Sequence, residues 1–217
     1  MTTAPRYPRD MIGYGPRAPA VQWPGGARVA ISLVLNYEEG GENNILHGDA
    51  GSEQFLSEMF NPASYPARHM SMDGIYEYGA RAGVWRLLRA FEARGHRLTV
   101  FGVATALQRY PELVSAFQAL GHEIACHGLK WIHYQNTPKD QEAADMAQAM
   151  QIMTDLMGER PLGWYTGRDS PNTHQIVADF GGFAYDADYY GDDLPFWMTV
   201  EKSNGDKTNQ LVVPYTL

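Results

Sequence analysis

Short aliphatic runs alternate with helix-period segments through most of this 217-residue chain, and that alternation constrains its fold more than any other feature. Residues 29–35 (V-A-I-S-L-V-L) are largely β-branched or aliphatic and read as a buried strand. Residues 98–103, 123–126, 161–165, 183–185 and 211–213 read the same way. Between them lie helices. Over 79–94, Val84, Leu87, Leu88 and Phe91 fall at i, i+3, i+4 and i+7, and Gly95 stops the run. Pro111 opens another helix, with Leu113, Val114, Phe117 and Leu120 on one face. Thr137-Pro138 is expected to cap a long one ending at Met157. Its Met146, Met150, Met153 and Met157 form a stripe that reads as adaptable core filler. A further helix runs from Ser170-Pro171 to Gly181-Gly182, and Asn204-Gly205 turns a hairpin.

Strands separated by helices run parallel, joined by crossovers. The fold class is therefore α/β. One register recurs: Glu38, Glu39, His127, Arg168, Asp186 and Asp188 all follow the C-terminal end of a strand. In a β/α barrel those ends form one face, where active sites sit. Glu38 and Glu39 are adjacent carboxylates at the end of an apolar run. Like-charge repulsion and desolvation predict that one pKa of the pair rises. Such a pair either reaches solvent or does acid–base or metal work.

The remaining features bound the function. A net charge of −8 argues against a nucleic-acid or anionic-membrane partner. The single cysteine, Cys126, excludes an internal disulfide framework. No apolar run approaches the roughly 20 residues needed to span a bilayer, so a cytoplasmic location is expected. Residues 1–27, with prolines at 5, 8, 16, 19 and 24, read as an extended arm wrapping the body or a neighbouring subunit, and 28–217 as the catalytic domain. Within that arm, Asp10 and Tyr14 are candidates for contact with a partner subunit's site, which the sequence leaves open. Residues 40–78 show no convincing period and read as a long ordered connection with a turn at Asn61-Pro62. Alternation points Cys126 away from His127, and a buried inert thiol is expected there rather than a nucleophile. His47, His69 and His174 are assigned no role.

N-Y-E-E-G (36–40), H-G-L-K-W (127–131), G-R-D-S-P (167–171) and D-L-P-F-W (193–197) occur in the order of the motifs of the polysaccharide deacetylase family, which the chain resembles. That resemblance implies a distorted β/α barrel. It gives Glu38 the position of the catalytic base, Glu39 that of the first metal ligand, His127 that of the first histidine ligand, and Arg168 that of the arginine orienting the base. The sequence departs from the family where the second histidine ligand would stand. Trp131 is there, and an indole N–H cannot ligate a cation. A catalytic zinc normally has three protein ligands. No cofactor is therefore expected, with zinc possible only if His122 or His133 substitutes.

The closer resemblance is to the allantoinase branch of the family, described as needing no metal. It is carried by Y-P-R-D-M-I-G-Y-G (7–15), N-Y-E-E-G-G-E (36–42), S-M-D-G-I-Y-E-Y-G-A-R-A-G (71–83), C-H-G-L-K-W-I-H-Y (126–134) and G-W-Y-T-G-R-D-S-P-N-T (163–173). It implies hydrolysis of the cyclic amide of allantoin to allantoate in purine catabolism, by a homo-oligomer, a tetramer in that branch. In this reading Glu38 activates water and Glu39 raises its pKa. Arg168 pairs with Glu38, and His127 serves the oxyanion or the leaving nitrogen. Trp131 fills the lost ligand's place and walls a small ureide substrate. Asp186 and Asp188 stay outside the core assignment. The family domain is expected to continue past Leu217, since its late histidine motif has no counterpart before that point. Two alternatives stand beside this reading: a metal-dependent N-deacetylase of an acetylated carbohydrate, and an inactive ligand-binding or assembly subunit.

Overall fold

A parallel sheet forms wherever the sequence offers an apolar run with a crossover helix behind it. The computed structural model describes residues 7, 9–55 and 63–215. The chain divides into two units, Met1–Ser32 and Leu33–Leu217. In the first, the Asp10 carboxylate accepts from the backbone N–H groups of Ile12 and Gly13, and a short 3-10 turn covers Pro24–Gly26.

The second unit holds seven strands: β1 (Val34–Tyr37), β2 (Thr99–Gly102), β3 (Glu123–Cys126), β4 (Gly163–Trp164), β5 (Tyr185–Asp186), β6 (Phe196–Glu201) and β7 (Lys207–Val212). They lie in the order β1-β2-β3-β4-β5-β7-β6. Neighbours from β1 to β5 are parallel, as is β5 with β7, and β6 pairs antiparallel with β7. Winding one strand at a time in a single direction is how a β/α barrel is built. Among the described residues the sheet is not closed, with β1 and β6 at its edges.

Among the described residues six α-helices accompany the sheet: α1 (Met70–Tyr78), α2 (Val84–Glu92), α3 (Ala104–Arg109), α4 (Pro111–Ala119), α5 (Lys139–Met157) and α6 (Thr173–Phe180). The α5 stripe packs as expected: Met146, Met150 and Met153 are buried in the main core and Met157 lies against it. Thr137 does not cap this helix; Pro138 occupies the cap position without a side-chain bond.

Side-chain alternation splits the strands between two cores. Tyr37, Val100, Ile124, Cys126 and Trp164 face the helices. Phe101, Ala125, Tyr165 and Ala187 face the other, inner side, where Tyr215 stacks on Tyr165 with ring centroids 4.6 Å apart.

Further expectations need correction: the strands expected at 183–185 and 211–213 run Tyr185–Asp186 and Lys207–Val212, and the helix expected from Ser170-Pro171 begins at Thr173. The first strand is 34–37 rather than 29–35. Its partner β2 has four residues, so the ladder reaches no further, and Val29 and Ile31 are exposed. The stretch 40–78 is not wholly irregular either. It ends in α1, which runs through a π-helical turn at Gly79–Gly83 into α2. The sequence period fails there because the buried face of α1 carries a charge: Asp73 sits between Met72 and Tyr76. Asp73 is tolerated because Asn44 Nδ2 and Arg68 each donate to it at 2.8 Å. The expected turn at Asn61-Pro62 lies outside the described residues.

Candidate active site

The site is assembled at the C-terminal ends of β1, β3 and β4. Tyr37 faces the helices, so Glu38, the next residue, turns to the inner side. The same step takes the chain from buried Cys126 to His127. Register aligns Tyr37 with Gly102 and Gly102 with Cys126, which sets both polar residues at one height. His127 Nε2 lies 3.2 Å from Glu38 Oε1. A carboxylate only accepts, so Nε2 carries the proton and donates. The imidazole is almost wholly buried and packs on Tyr165, centroids 4.8 Å apart. Its Nδ1 is buried and has no partner among the described residues. Glu38 remains partly open, with 19% of its side chain accessible.

Glu39 turns to the opposite side. Its Oε2 accepts from the Glu38 backbone N–H at 3.1 Å. Its Oε1 lies so close to Gly79 that an added Cβ there would meet it at 2.1 Å. Partial burial pushes the Glu39 carboxyl up, and the Glu38 charge acts in the same direction. Glu42 is also buried, accepts from the Gly40 N–H at 2.6 Å, and is pushed up by burial.

Arg168 departs from its expected partner. Among the described residues it forms no ion pair with Glu38, Asp169 or Asp186. Instead its guanidinium lies over the Trp131 ring, 3.6 Å from the centroid, and 5.6 Å from that of Phe55. A cation on an aromatic face at this range is a stabilising contact that leaves the in-plane N–H groups available. Trp131 is buried, with its N–H of the main chain donated to the Gly41 carbonyl at 2.9 Å. One of its faces is thus taken by Arg168.

The loop bearing Arg168 is held from behind. Asp188 accepts from the Thr166 N–H at 2.8 Å and the Gly167 N–H at 2.7 Å. Gly167 has φ of +69°, a conformation that favours glycine. Asp186 accepts from the Asp188 N–H, from His174 Nδ1 at 2.8 Å and from Gln210. Burial, with the Asp186 charge, pushes Asp188 up to about 7. Burial opposes charge on His174, but the bond and charge of Asp186 outweigh it and raise its pKa. Sequence reasoning left Asp186 and Asp188 aside and gave His174 no role. Asp186 ends β5 and Asp188 lies two residues further on, and that place at the C-terminal end of a strand was the available signal for the two aspartates.

The donor set does not fit a three-ligand zinc. His127 Nε2 is turned to Glu38, Glu39 faces away, and Trp131 stands at the third position. His122 lies at the other end of β3, where its Nδ1 accepts from the Leu98 N–H, and His133 is exposed. Among the described residues no three His, Cys, Asp or Glu side chains are grouped as metal ligands. A groove lined by Gln54, Ala63, Tyr65, Arg68 and His69 contains none of the assigned residues. No helix among the described residues is long and apolar enough to cross a membrane.

An open-ended β/α sheet with acid–base residues on its C-terminal rim is the architecture of a known hydrolase family. The polysaccharide deacetylase model matches residues 71–181, and the chain belongs to that family. The matched segment contains His127, Trp131 and Arg168, whereas Glu38 and Glu39 precede it. Among solved structures, PuuE allantoinase is 55% identical over 97% of this chain and 69% of its own, with a TM-score of 0.90. A Pseudomonas aeruginosa PAO1 protein carrying the polysaccharide deacetylase name matches equally, at 55% identity over 97% of this chain and 70% of its own, TM-score 0.90. A Schizosaccharomyces pombe protein of the same family name is 34% identical over 96% of this chain and 70% of its length.

Proposed function

We propose that this chain hydrolyses the cyclic amide of allantoin to allantoate with a carboxylate-activated water and no metal. The observation that carries the chemistry is the Glu38–His127 pair at the rim of the inner face. The substrate is suggested by the 55% identity to PuuE allantoinase together with the shared fold.

Glu38 accepts a proton from water as its oxygen adds to the ring carbonyl carbon. The carbonyl π pair moves onto oxygen, giving a tetrahedral oxyanion. When the ring C–N bond breaks, the proton held by Glu38 passes to the departing nitrogen. His127 orients the base through Nε2–H, the part first expected of Arg168. The guanidinium of Arg168, seated on Trp131 and free of an acidic partner among the described residues, supplies in-plane donors to the developing oxyanion. Glu39, half-buried on the other side of the strand end, holds the turn and takes no proton from substrate. A role in ureide breakdown, a cytoplasmic location and a homo-oligomeric state are part of the same reading.

The test is allantoate formation by Glu38→Gln, which keeps size and removes the base. A general base contributes about 10²–10⁴ in rate, and a loss of that size in kcat is expected. Turnover within a few-fold of the unsubstituted protein refutes the assignment. The second reading, a metal-dependent N-deacetylase, is favoured by the family name of two relatives. It requires a third ligand that the donor set does not offer.

A further inference from the structure

Hydrogen bonding fixes the His127 imidazole on one side only. Nε2 is tied to Glu38, whereas the buried Nδ1 has no partner among the described residues. A histidine in an acid–base pair is commonly oriented by a bond at its second nitrogen. With that bond missing among the described residues, packing has to aim the ring.

The ring packed on it is Tyr165. Cys126 pairs with Trp164 and both face the helices, so His127 and Tyr165, one step further along β3 and β4, turn together to the inner side. Their centroids are 4.8 Å apart at an interplanar angle of 48°. The same tyrosine reaches the other half of the site. A Cβ added to Gly167, the residue before Arg168, would lie 2.9 Å from both Cζ and Oη of Tyr165. The phenol edge thus rests against the backbone that carries the guanidinium. Tyr165 is itself clamped. Only 4% of it is exposed, Phe101 packs on its ring at 4.8 Å, Tyr215 stacks on it at 4.6 Å and 3°, and its hydroxyl is 2.9 Å from that of Tyr190.

We propose that Tyr165 is a positioning residue, which aims the His127 imidazole at Glu38 and spaces that pair from the Arg168 loop; this deepens the hydrolase reading above. Tyr165 touches no reacting atom and passes no proton. Burial and the bond to Tyr190 push its hydroxyl well above the ordinary tyrosine range, so the phenol stays neutral while the site works.

The experiment compares Tyr165→Leu, which removes the ring, with Tyr165→Phe, which keeps it. Leu113→Ala is the control, since Leu113 is fully buried in the helix-side core, away from the inner side. Three quantities are measured: steady-state kinetics on allantoin, melting temperature, and the proton resonance of the His127 Nε2–H. That proton is kept from exchange with water by its bond to Glu38, is assigned by its loss in His127→Gln, and reports the aim of the ring without substrate. In Tyr165→Leu, kcat should fall about 10²-fold, the cost of a misplaced catalytic group. KM should stay within a few-fold, and the Nε2–H signal should broaden into exchange. Tyr165→Phe should keep the signal and most of kcat. Leu113→Ala should lose melting temperature by cavity formation yet keep both the signal and kcat. A Tyr165→Leu protein within twofold in kcat, or one whose Nε2–H signal is unmoved, overturns the proposal and leaves the hydrolase reading intact. Equal kinetic losses in Leu113→Ala overturn it as non-specific. Should Tyr165→Leu fail to fold, Tyr215→Leu decides, because it takes away the half-buried ring stacked behind Tyr165 and leaves Tyr165 itself in place. Its signal should broaden and its kcat fall, and both unchanged overturns the proposal. If the unsubstituted protein does not hydrolyse allantoin, the substrate reading fails, and the Nε2–H signal alone decides whether Tyr165 aims His127.

Discussion

Two polar groups of side chains stand along the same end of the sheet and are built on opposite plans. Behind the loop that carries Arg168, the carboxylates are closed. Asp186 and Asp188 accept from backbone, histidine and amide donors. Nearby, Glu142 on α5 accepts from Ser170 at 2.6 Å and from Thr173, tying the start of α6 to α5. Around Glu38 the polar groups are open. His127 keeps a buried Nδ1 without a partner among the described residues, while Arg168 lies on an aromatic ring rather than on a carboxylate. Both groups contain buried acids and a histidine, so residue type does not distinguish them. The pairing of the acids and the histidine does: Asp186, Asp188 and Glu142 each accept from buried donors, although the Gln210 Oε1 beside them is unpaired, whereas the His127 Nδ1 beside Glu38 has no partner among the described residues.

The contrast can be broken at Arg168. Arg168→Lys retains the charge but replaces a planar group stacked on Trp131 with a compact ammonium. kcat on allantoin should fall about 10²-fold, as expected when a donor to the oxyanion is misplaced, while the melting temperature barely moves. A large fall in stability with unchanged kinetics would place Arg168 in the closed group instead.

The closed group has its own signature in stability against pH. Asp188 is held up to about 7 by burial and by Asp186, whereas an unfolded aspartate titrates near 3.9. The folded protein therefore binds more protons than the unfolded chain between those values. Stability is greatest below about pH 4 and falls as pH rises through about 7. His174, also raised, acts in the same direction, as do Glu39 and Glu42. Urea midpoints should fall from pH 5 to pH 8, and Asp188→Asn should flatten part of that slope. Parallel curves for the two proteins contradict the account of Asp188.

The smallest effect is expected at Cys126, which adjoins His127 in sequence but faces the helix-side core. It is fully buried, and burial pushes its thiol up to about 12. Cys126→Ala should leave kcat within twofold, cost about 1 kcal/mol in stability, and show the same sensitivity to thiol reagents as the unsubstituted protein. Loss of turnover would bring the thiol into the chemistry.

These residues also mark what was legible in the sequence. β3, the extent of α5 and the hairpin at Asn204-Gly205 are readable because each repeats one simple period or ends at a strong turn signal. So was the placing of Glu38 and His127 on the strand ends, since alternation fixes the side of a side chain once the strand is known. What partners those residues was not readable. The pairing of His127 with Glu38 and of Arg168 with Trp131 depends on loops meeting across the sheet, and spacing along the chain carries no such information. α1 escaped because a buried Asp73, satisfied by Asn44 and Arg68, breaks the apolar face that a period search requires. Asp188 escaped for the opposite reason: it binds backbone, which any carboxylate can do.

The most direct test of the central claim is allantoate formation by the protein after exhaustive chelation, with metal content read on the same sample. Turnover retained at a metal content far below one per chain is the predicted result, with Glu38 and His127 supplying the chemistry. Turnover lost on chelation and restored by added zinc would contradict it, since a ligand set that these side chains do not form would then be required.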